Sequence, residues 1–258
     1  MKIVLKNSHV DYHLSSHWTS GLLEKSLPFL ASKKAAGSLA LTNEFDKEEL
    51  QYFISLRHDT SNKVYGTERI PGRMLASSYK KVSIPFELQK ILCEWYATLY
   101  NRKKKDVKAC MEVTMNQHAR LKIGNEIFGS KVANRHENNA VILTKWNAFR
   151  DETSDIYPGE VQYYFKHTLT LSKGPKTHLL AYVKWYKNVS SSSIQFKHKF
   201  MEPEVSNTEL WKAEYYEESQ DSIIAVQRIY GRAVKMDYRV GNKNNYISII
   251  PLNRRFNF

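Results

Sequence analysis

Cysteine, glycine and long apolar runs are scarce in this 258-residue sequence. The two cysteines, Cys93 and Cys110, have a spacing that matches no zinc-binding pattern, so we expect free thiols in a reducing compartment. No apolar run approaches the roughly 18 residues that suggest a transmembrane helix. The apolar run at residues 1–7 is also shorter than that of a signal peptide. We therefore expect no membrane partner.

Motifs for catalysis are missing as well. The ten glycines form no phosphate-binding loop and no nucleophile elbow, and neither cysteine has a credible histidine partner. His9, His13 and His17 recur every four residues, as metal ligands on one helix face would, although surface histidines are the alternative. We expect no catalytic residue, metal or cofactor. A metal-dependent nuclease is the weakest alternative, and it would use carboxylates that show no diagnostic spacing: Asp106, Glu112, Glu126, Asp151, Glu152 and Asp155.

Positive charge, by contrast, is abundant and unevenly distributed. The net charge is +13, while residues 1–50 carry six side chains of each sign and residues 201–258 carry eight of each. Residues 101–150 hold eleven basic against four acidic side chains. A localised basic band is typical of a nucleic-acid or other polyanion partner. A solvated face that maintains solubility is the alternative.

One basic segment of this band directly follows a predicted helix. Cations at that position complement the negative end of the helix dipole. The same run matches a minimal nuclear-localisation pattern, which indicates a nuclear protein. We predict that its four side chains contact phosphates: Arg102, Lys103, Lys104 and Lys105.

A second candidate contact is the polar loop at residues 129–137, between two predicted strands. Lys131 and Arg135 are suited to bind phosphates, and His136 is suited to stack on a base. An ordinary surface loop is the alternative for this segment.

Tyr182 and Tyr186 are candidates for a different kind of site. They share one face of a predicted strand, and Trp185 on the other face is expected in the core. If both tyrosines are exposed, they suit an aromatic cage for methylated lysine or a stacking surface for bases. A histone or partner-peptide reader is therefore a second hypothesis.

Hydrophobic periodicity predicts an α+β protein, with a helical N-terminal third followed by a mainly antiparallel, barrel-like β domain. Helical spacing occurs in residues 13–32 and 47–56, and residues 57–83 resemble a loop. The clearest helix spans residues 85–100, with apolar positions Leu88, Ile91, Leu92, Trp95 and Leu99. Alternation in later segments predicts strands, beginning at residue 107 and including residues 161–171 and 179–187. In residues 161–171, Val161 and Tyr163 are expected on one face, and the Pro158–Gly159 pair is expected to precede the strand. The predicted division is a helical region with a basic loop at 1–104 and an all-β domain at 105–258.

Two resemblances add to this interpretation. Residues 183–186 (Val-Lys-Trp-Tyr), 209–211 (Glu-Leu-Trp) and 223–232 together resemble a bromo-adjacent homology module, which implies a chromatin-interaction domain. Residues 124–130, 157–165, 181–186 and 250–254, with Arg135 and His136, resemble the C-terminal part of proteins encoded by fungal CACTA-type DNA transposons. That family's acidic catalytic residues have no counterpart in this sequence. The second resemblance therefore implies an accessory role.

The sequence as a whole predicts a non-catalytic nuclear module of transposon origin that binds nucleic acid, with DNA favoured, or chromatin. A protein-interaction scaffold remains the alternative.

Overall fold

The computed structural model describes residues 64–75, 80–124, 126–147, 154–189, 209–240 and 244–252. In these ranges the chain is mainly antiparallel β-sheet with two α-helices, α1 (Phe86–Tyr100) and α2 (Lys104–Cys110). The strands are β1 (Gly72–Met74), β2 (Lys80–Ser83), β3 (Thr114–His118), β4 (Leu121–Ile123), β5 (Glu126–Phe128), β6 (Val141–Asn147), β7 (Ser154–Leu171), β8 (Gly174–Trp185), β9 (Glu209–Lys212), β10 (Ile223–Ala225), β11 (Ile229–Val240) and β12 (Asn244–Leu252).

The long strand β7 organises the larger of two sheets. Nine strands form this sheet. Seven have the order β10-β8-β7-β6-β11-β12-β9, while β3 pairs with β7 and β2 pairs with β3. One edge of β7 pairs with β8 from Gly159 to Leu171. The other edge pairs first with β6 and then with β3. Between those two partners, the backbone groups of Lys131 and Ala140 bond to Val161, so the edge of β7 is paired there as well.

Side chains of β7 alternate between the two faces of the large sheet. From Tyr163 to Leu171 the alternation is as expected, with Phe165 and Leu169 on the face that packs against α1. A bulge between Val161 and Tyr163 shifts the register by one residue. Val161 therefore lies on the opposite face from Tyr163, together with Tyr164, and the prediction that Val161 and Tyr163 share a face is wrong.

On the Tyr164 face, a small sheet covers part of the large one. Its strand order is β1-β4-β5. Its inward side chains, which include Met74, Leu121 and Phe128, pack against residues of β7 and β8. Helices α1 and α2 pack against β7 and β8 on the other face, so three layers meet at these strands: helices, large sheet and small sheet.

Helix α1 confirms the clearest helix prediction, although its buried stripe is rotated slightly from the expected one. Pro85 is the N-cap, and the buried residues are Leu88, Leu92, Cys93 and Tyr96. Trp95 and Leu99 are half-buried. The stripe shifts because the helix packs on β7 and β8 through Tyr96, which forms a hydrogen bond with a buried histidine of β7.

The prediction of a helical N-terminal third followed by a barrel is wrong. Among the described residues only α1 and α2 are α-helical, and β1 and β2 occupy a segment that resembled a loop. Strands of three and four residues contain too little alternation to be recognised from sequence. The large sheet has an open strand order and does not form a closed barrel. The helices expected at 13–32 and 47–56 lie outside the described residues.

Elements on either side of the predicted boundary at 104 share the same sheets. Strand β1 pairs with β4, and β2 pairs with β3. Helix α2 stands where the first part of a strand was expected, from residue 107. Val107 is buried against the core beneath α1, and the other positions of α2 are largely exposed, which is the one-sided burial of a short surface helix. The Pro158–Gly159 pair, expected to precede a strand, lies within β7.

Candidate nucleic-acid interface

The end of α1 and the start of α2 bring a dense group of cations to the surface. Asn101 ends α1 in the left-handed conformation with φ of 49°. The Arg102 N–H then donates to the Ala97 carbonyl at 2.9 Å, which reverses the chain. Lys103 is extended and caps α2. The whole segment from Asn101 to Asp106 is exposed.

Four cations at this corner have no carboxylate within 4 Å among the described residues. We name them the helix-corner cluster: Arg102, Lys103, Lys105 and Lys108. Lys104, which the sequence also predicted as a phosphate contact, is different because it forms an ion pair with Glu94 at 2.5 Å. Lys108 was not among the predicted contacts, because a strand was expected from residue 107. In helix α2 it lies one turn after Lys105, on the same side of the helix.

Cys93 lies beneath this corner. Its thiol donates to the Lys104 carbonyl at 3.2 Å. Burial raises the pKa of the Cys93 thiol, and the positive charges of Lys104 and Lys108 oppose that rise only in part. The thiol is therefore a structural contact that attaches α2 to α1.

The loop at residues 129–140 is held in place by its backbone. A Cβ on Gly129 would lie 1.9 Å from the His136 carbonyl oxygen, so a glycine is required at this close approach. The Lys131 N–H donates to the Val161 carbonyl at 2.9 Å, while the Lys131 ammonium pairs with Glu137. Arg135 is exposed and His136 is half-buried.

The structure does not bring this loop and the helix corner together. The loop contacts β7 at Val161, whereas Met111, which directly follows α2, bridges to Leu169. Eight residues of strand separate these two points, about 26 Å at about 3.3 Å per residue. Lys131, Arg135 and His136 therefore belong to a surface separate from the helix-corner cluster.

Tyr182 and Tyr186 share a face, but neither is presented to solvent as expected. Tyr182 is half-buried and contacts the Tyr163 ring at 5.4 Å between centroids. Tyr186 is 3% exposed. The Tyr186 ring stacks on Tyr215 at 4.9 Å, so it is not available to an external ligand in this conformation.

A polar network surrounds Tyr186. Glu160, which is 5% exposed, accepts hydrogen bonds from Tyr215 Oη at 2.6 Å and Lys235 Nζ at 2.7 Å. Burial alone would raise the pKa of Glu160, but these two donors outweigh burial and lower it. The network joins β7 to β11 and to the segment after β9, which is a structural role.

Within the described part of the chain, no three His, Cys, Asp or Glu side chains are placed to hold a metal ion. Glu126 pairs with Arg232 at 3.3 Å. His9, His13, His17, Asp151 and Glu152 lie outside the described residues. None of the helices in the described ranges is long and apolar enough to span a membrane.

The described chain is thus a three-layer, mainly antiparallel β protein with an unpaired basic surface at a helix corner. Comparison with known protein families, curated proteins and solved structures finds no match to this chain.

Proposed function

We propose that this protein is a non-catalytic nucleic-acid-binding module that contacts backbone phosphates through the helix-corner cluster. The observation that carries the proposal is the group of four exposed cations without carboxylate partners, within seven consecutive residues. Phosphate contacts made by Lys and Arg supply most of the sequence-independent affinity for nucleic acid.

Some surface lysines elsewhere are paired with carboxylates, unlike those of the helix-corner cluster. Lys184 and Lys187 are also surface lysines, but each pairs with a glutamate, at 3.4 Å and 3.3 Å. The resemblance to accessory regions of CACTA-type transposon proteins favours DNA as the ligand and the nucleus as the location.

A salt series on matched variants tests the proposal. Binding of a fluorescent DNA duplex is measured for the unaltered chain, for Lys103→Gln/Lys105→Gln, and for Lys184→Gln/Lys187→Gln. Each double variant removes the same net charge. Because each phosphate contact contributes about 0.9 to the slope of log affinity against log salt, we expect the helix-corner variant to reduce the slope by about 1.8.

The control variant is expected to retain the slope of the unaltered chain. Equal losses in the two variants would show that net charge, not the corner, determines binding. No binding of duplex or single-stranded DNA or RNA at low salt would contradict the proposed function.

A further inference from the structure

A second group of cations lies on the opposite face of the large sheet. Strand pairing places Lys81 of β2 opposite Asn116 of β3, and Asn116 opposite Lys166 of β7. Directly paired residues share a face, so the two lysines lie on one face, about 10 Å apart at about 4.8 Å per strand. Phe165 and His167, the neighbours of Lys166, lie on the other face beneath the helices.

The small sheet adds two more cations that face the same way. Arg73 of β1 pairs directly with Lys122 of β4. The neighbours of this pair, Met74 and Leu121, point inward to the core between the sheets. Arg73 and Lys122 therefore lie on the outer surface of the small sheet, directed away from the helices.

These four residues, which we name the sheet-face cluster (Arg73, Lys81, Lys122 and Lys166), have no carboxylate within 4 Å in the described ranges. Like charges directly opposite each other in a sheet are destabilising, as in the Arg73–Lys122 pair. Lysines on an edge strand such as β2 also prevent unwanted strand pairing. That explanation does not extend to Lys166, because β7 has neighbouring strands on both sides at this position.

The positive charge of Lys166 also affects a buried histidine of β3. Burial lowers the pKa of His118. The charge of Lys166 acts in the same direction. Two hydroxyl groups extend the surface along the same face, since Thr168 and Thr177 pair across β7 and β8 with their oxygens 3.3 Å apart. Cations spread over both sheets suit a chain of phosphates better than a single small anion.

We propose that the sheet-face cluster is a second nucleic-acid-binding surface, so that one protein molecule holds two nucleic-acid segments on opposite faces of its large sheet. The helix-corner cluster lies on the side of α1 and α2, and the sheet-face cluster lies beyond the other face. A helix layer alone is about 10–12 Å thick with its side chains. A short straight duplex therefore cannot contact both clusters at once. The choice of nucleic acid as the ligand rests on the proposed function. The placement of the four cations rests only on strand pairing.

The test counts the duplexes bound by one chain. Sedimentation of the full chain with excess short fluorescent duplex gives the stoichiometry. It is run at the highest salt at which the unaltered chain is still saturated, so that a site lacking two phosphate contacts stays empty. We expect two duplexes on the unaltered chain and on the control Lys184→Gln/Lys187→Gln. We expect one duplex on Lys81→Gln/Lys166→Gln, one on the independent variant Arg73→Gln/Lys122→Gln, and one on Lys103→Gln/Lys105→Gln.

One duplex on the unaltered chain, or two on both sheet-face variants, overturns the second surface. If the sheet-face variants lose all binding while the helix-corner variant binds normally, the helix corner and two-sided binding are both overturned. In that case the sheet face remains as the binding surface. Binding to vesicles of anionic phospholipid without any binding to duplex overturns nucleic acid as the ligand of either surface.

Discussion

Gly159 lies where side chains of β8 approach β7 closely. A Cβ at this position would lie 2.5 Å from Val183 Cγ1 and 2.6 Å from the Trp185 ring. Trp185 is fixed in turn, because its indole N–H donates to the Asp221 carbonyl at 2.7 Å. We expect Gly159→Ala to destabilise the protein by about 1–3 kcal/mol through overpacking, measured by denaturant unfolding.

Gly231 provides the matched control for that substitution. It also lies in a strand, β11, but a Cβ there would meet nothing within 4 Å. Alanine at Gly231 is expected to be neutral or slightly stabilising, because a glycine loses more backbone entropy on folding. Equal destabilisation by the two substitutions would show that the cost comes from the strand backbone and not from the contact with Trp185.

At the scale of elements, α1 is attached to the large sheet by two tyrosine–histidine pairs. The Glu112 carbonyl accepts from His167 Nε2 at 2.9 Å, so Nδ1 of the neutral ring accepts from Tyr96 Oη at 2.8 Å. The second pair joins Tyr100 Oη to His178 Nε2, also at 2.8 Å. His167 and His178 are direct partners in the β7–β8 pairing, so both attachments lie side by side.

This arrangement predicts acid sensitivity. Burial lowers the pKa of His178 from 6.5 to about 4, and the nearby His167 and Lys176 also lower it. Between these two values the unfolded chain binds a proton that the folded chain excludes, so stability falls as the pH drops from 6.5 toward 4. The loss reaches roughly 3 kcal/mol at about 1.4 kcal/mol per pKa unit. Urea unfolding across this pH range measures it.

The variant His178→Gln isolates this contribution. We expect it to be less stable at neutral pH, because a more flexible side chain replaces the buried ring that bonds Tyr100 at 2.8 Å. We also expect it to lose less stability on acidification than the unaltered chain. His167 retains some acid sensitivity, since burial lowers its pKa as well. An unchanged pH dependence in the variant would assign the acid sensitivity to other groups.

Local patterns predicted single elements better than their assembly. The periodicity of α1 and the alternation of β7 from Tyr163 onward are visible in the sequence because each element is long. The sequence also shows that Lys166 lies on the polar face of its strand. It cannot show that Lys81 lies two strands away on the same face, because strand pairing between residues 85 positions apart depends on the whole topology. The bulge at residue 162 is similarly invisible to a pattern of period two.

At the scale of the whole molecule, the distribution of charge predicts opposite effects of salt on folding and on binding. A net charge of +13 repels itself in the folded state. The exposed ion pairs, such as those of Lys184 and Lys187, offset little of this, since such pairs contribute about 0–1 kcal/mol each. Added salt should therefore stabilise the free protein, and about 1 kcal/mol corresponds to a rise in Tm of roughly 2–4 °C.

Bound nucleic acid is expected to reverse this dependence. At low salt, duplex in excess over its Kd raises Tm because it binds only the folded chain. The increase disappears as salt weakens the phosphate contacts. Thermal unfolding with and without duplex over a salt series should give two curves that converge at high salt. If the Tm of the free protein falls with added salt, its ion pairs contribute more to stability than charge repulsion removes. The unpaired cations of the two clusters would then not determine how salt affects folding.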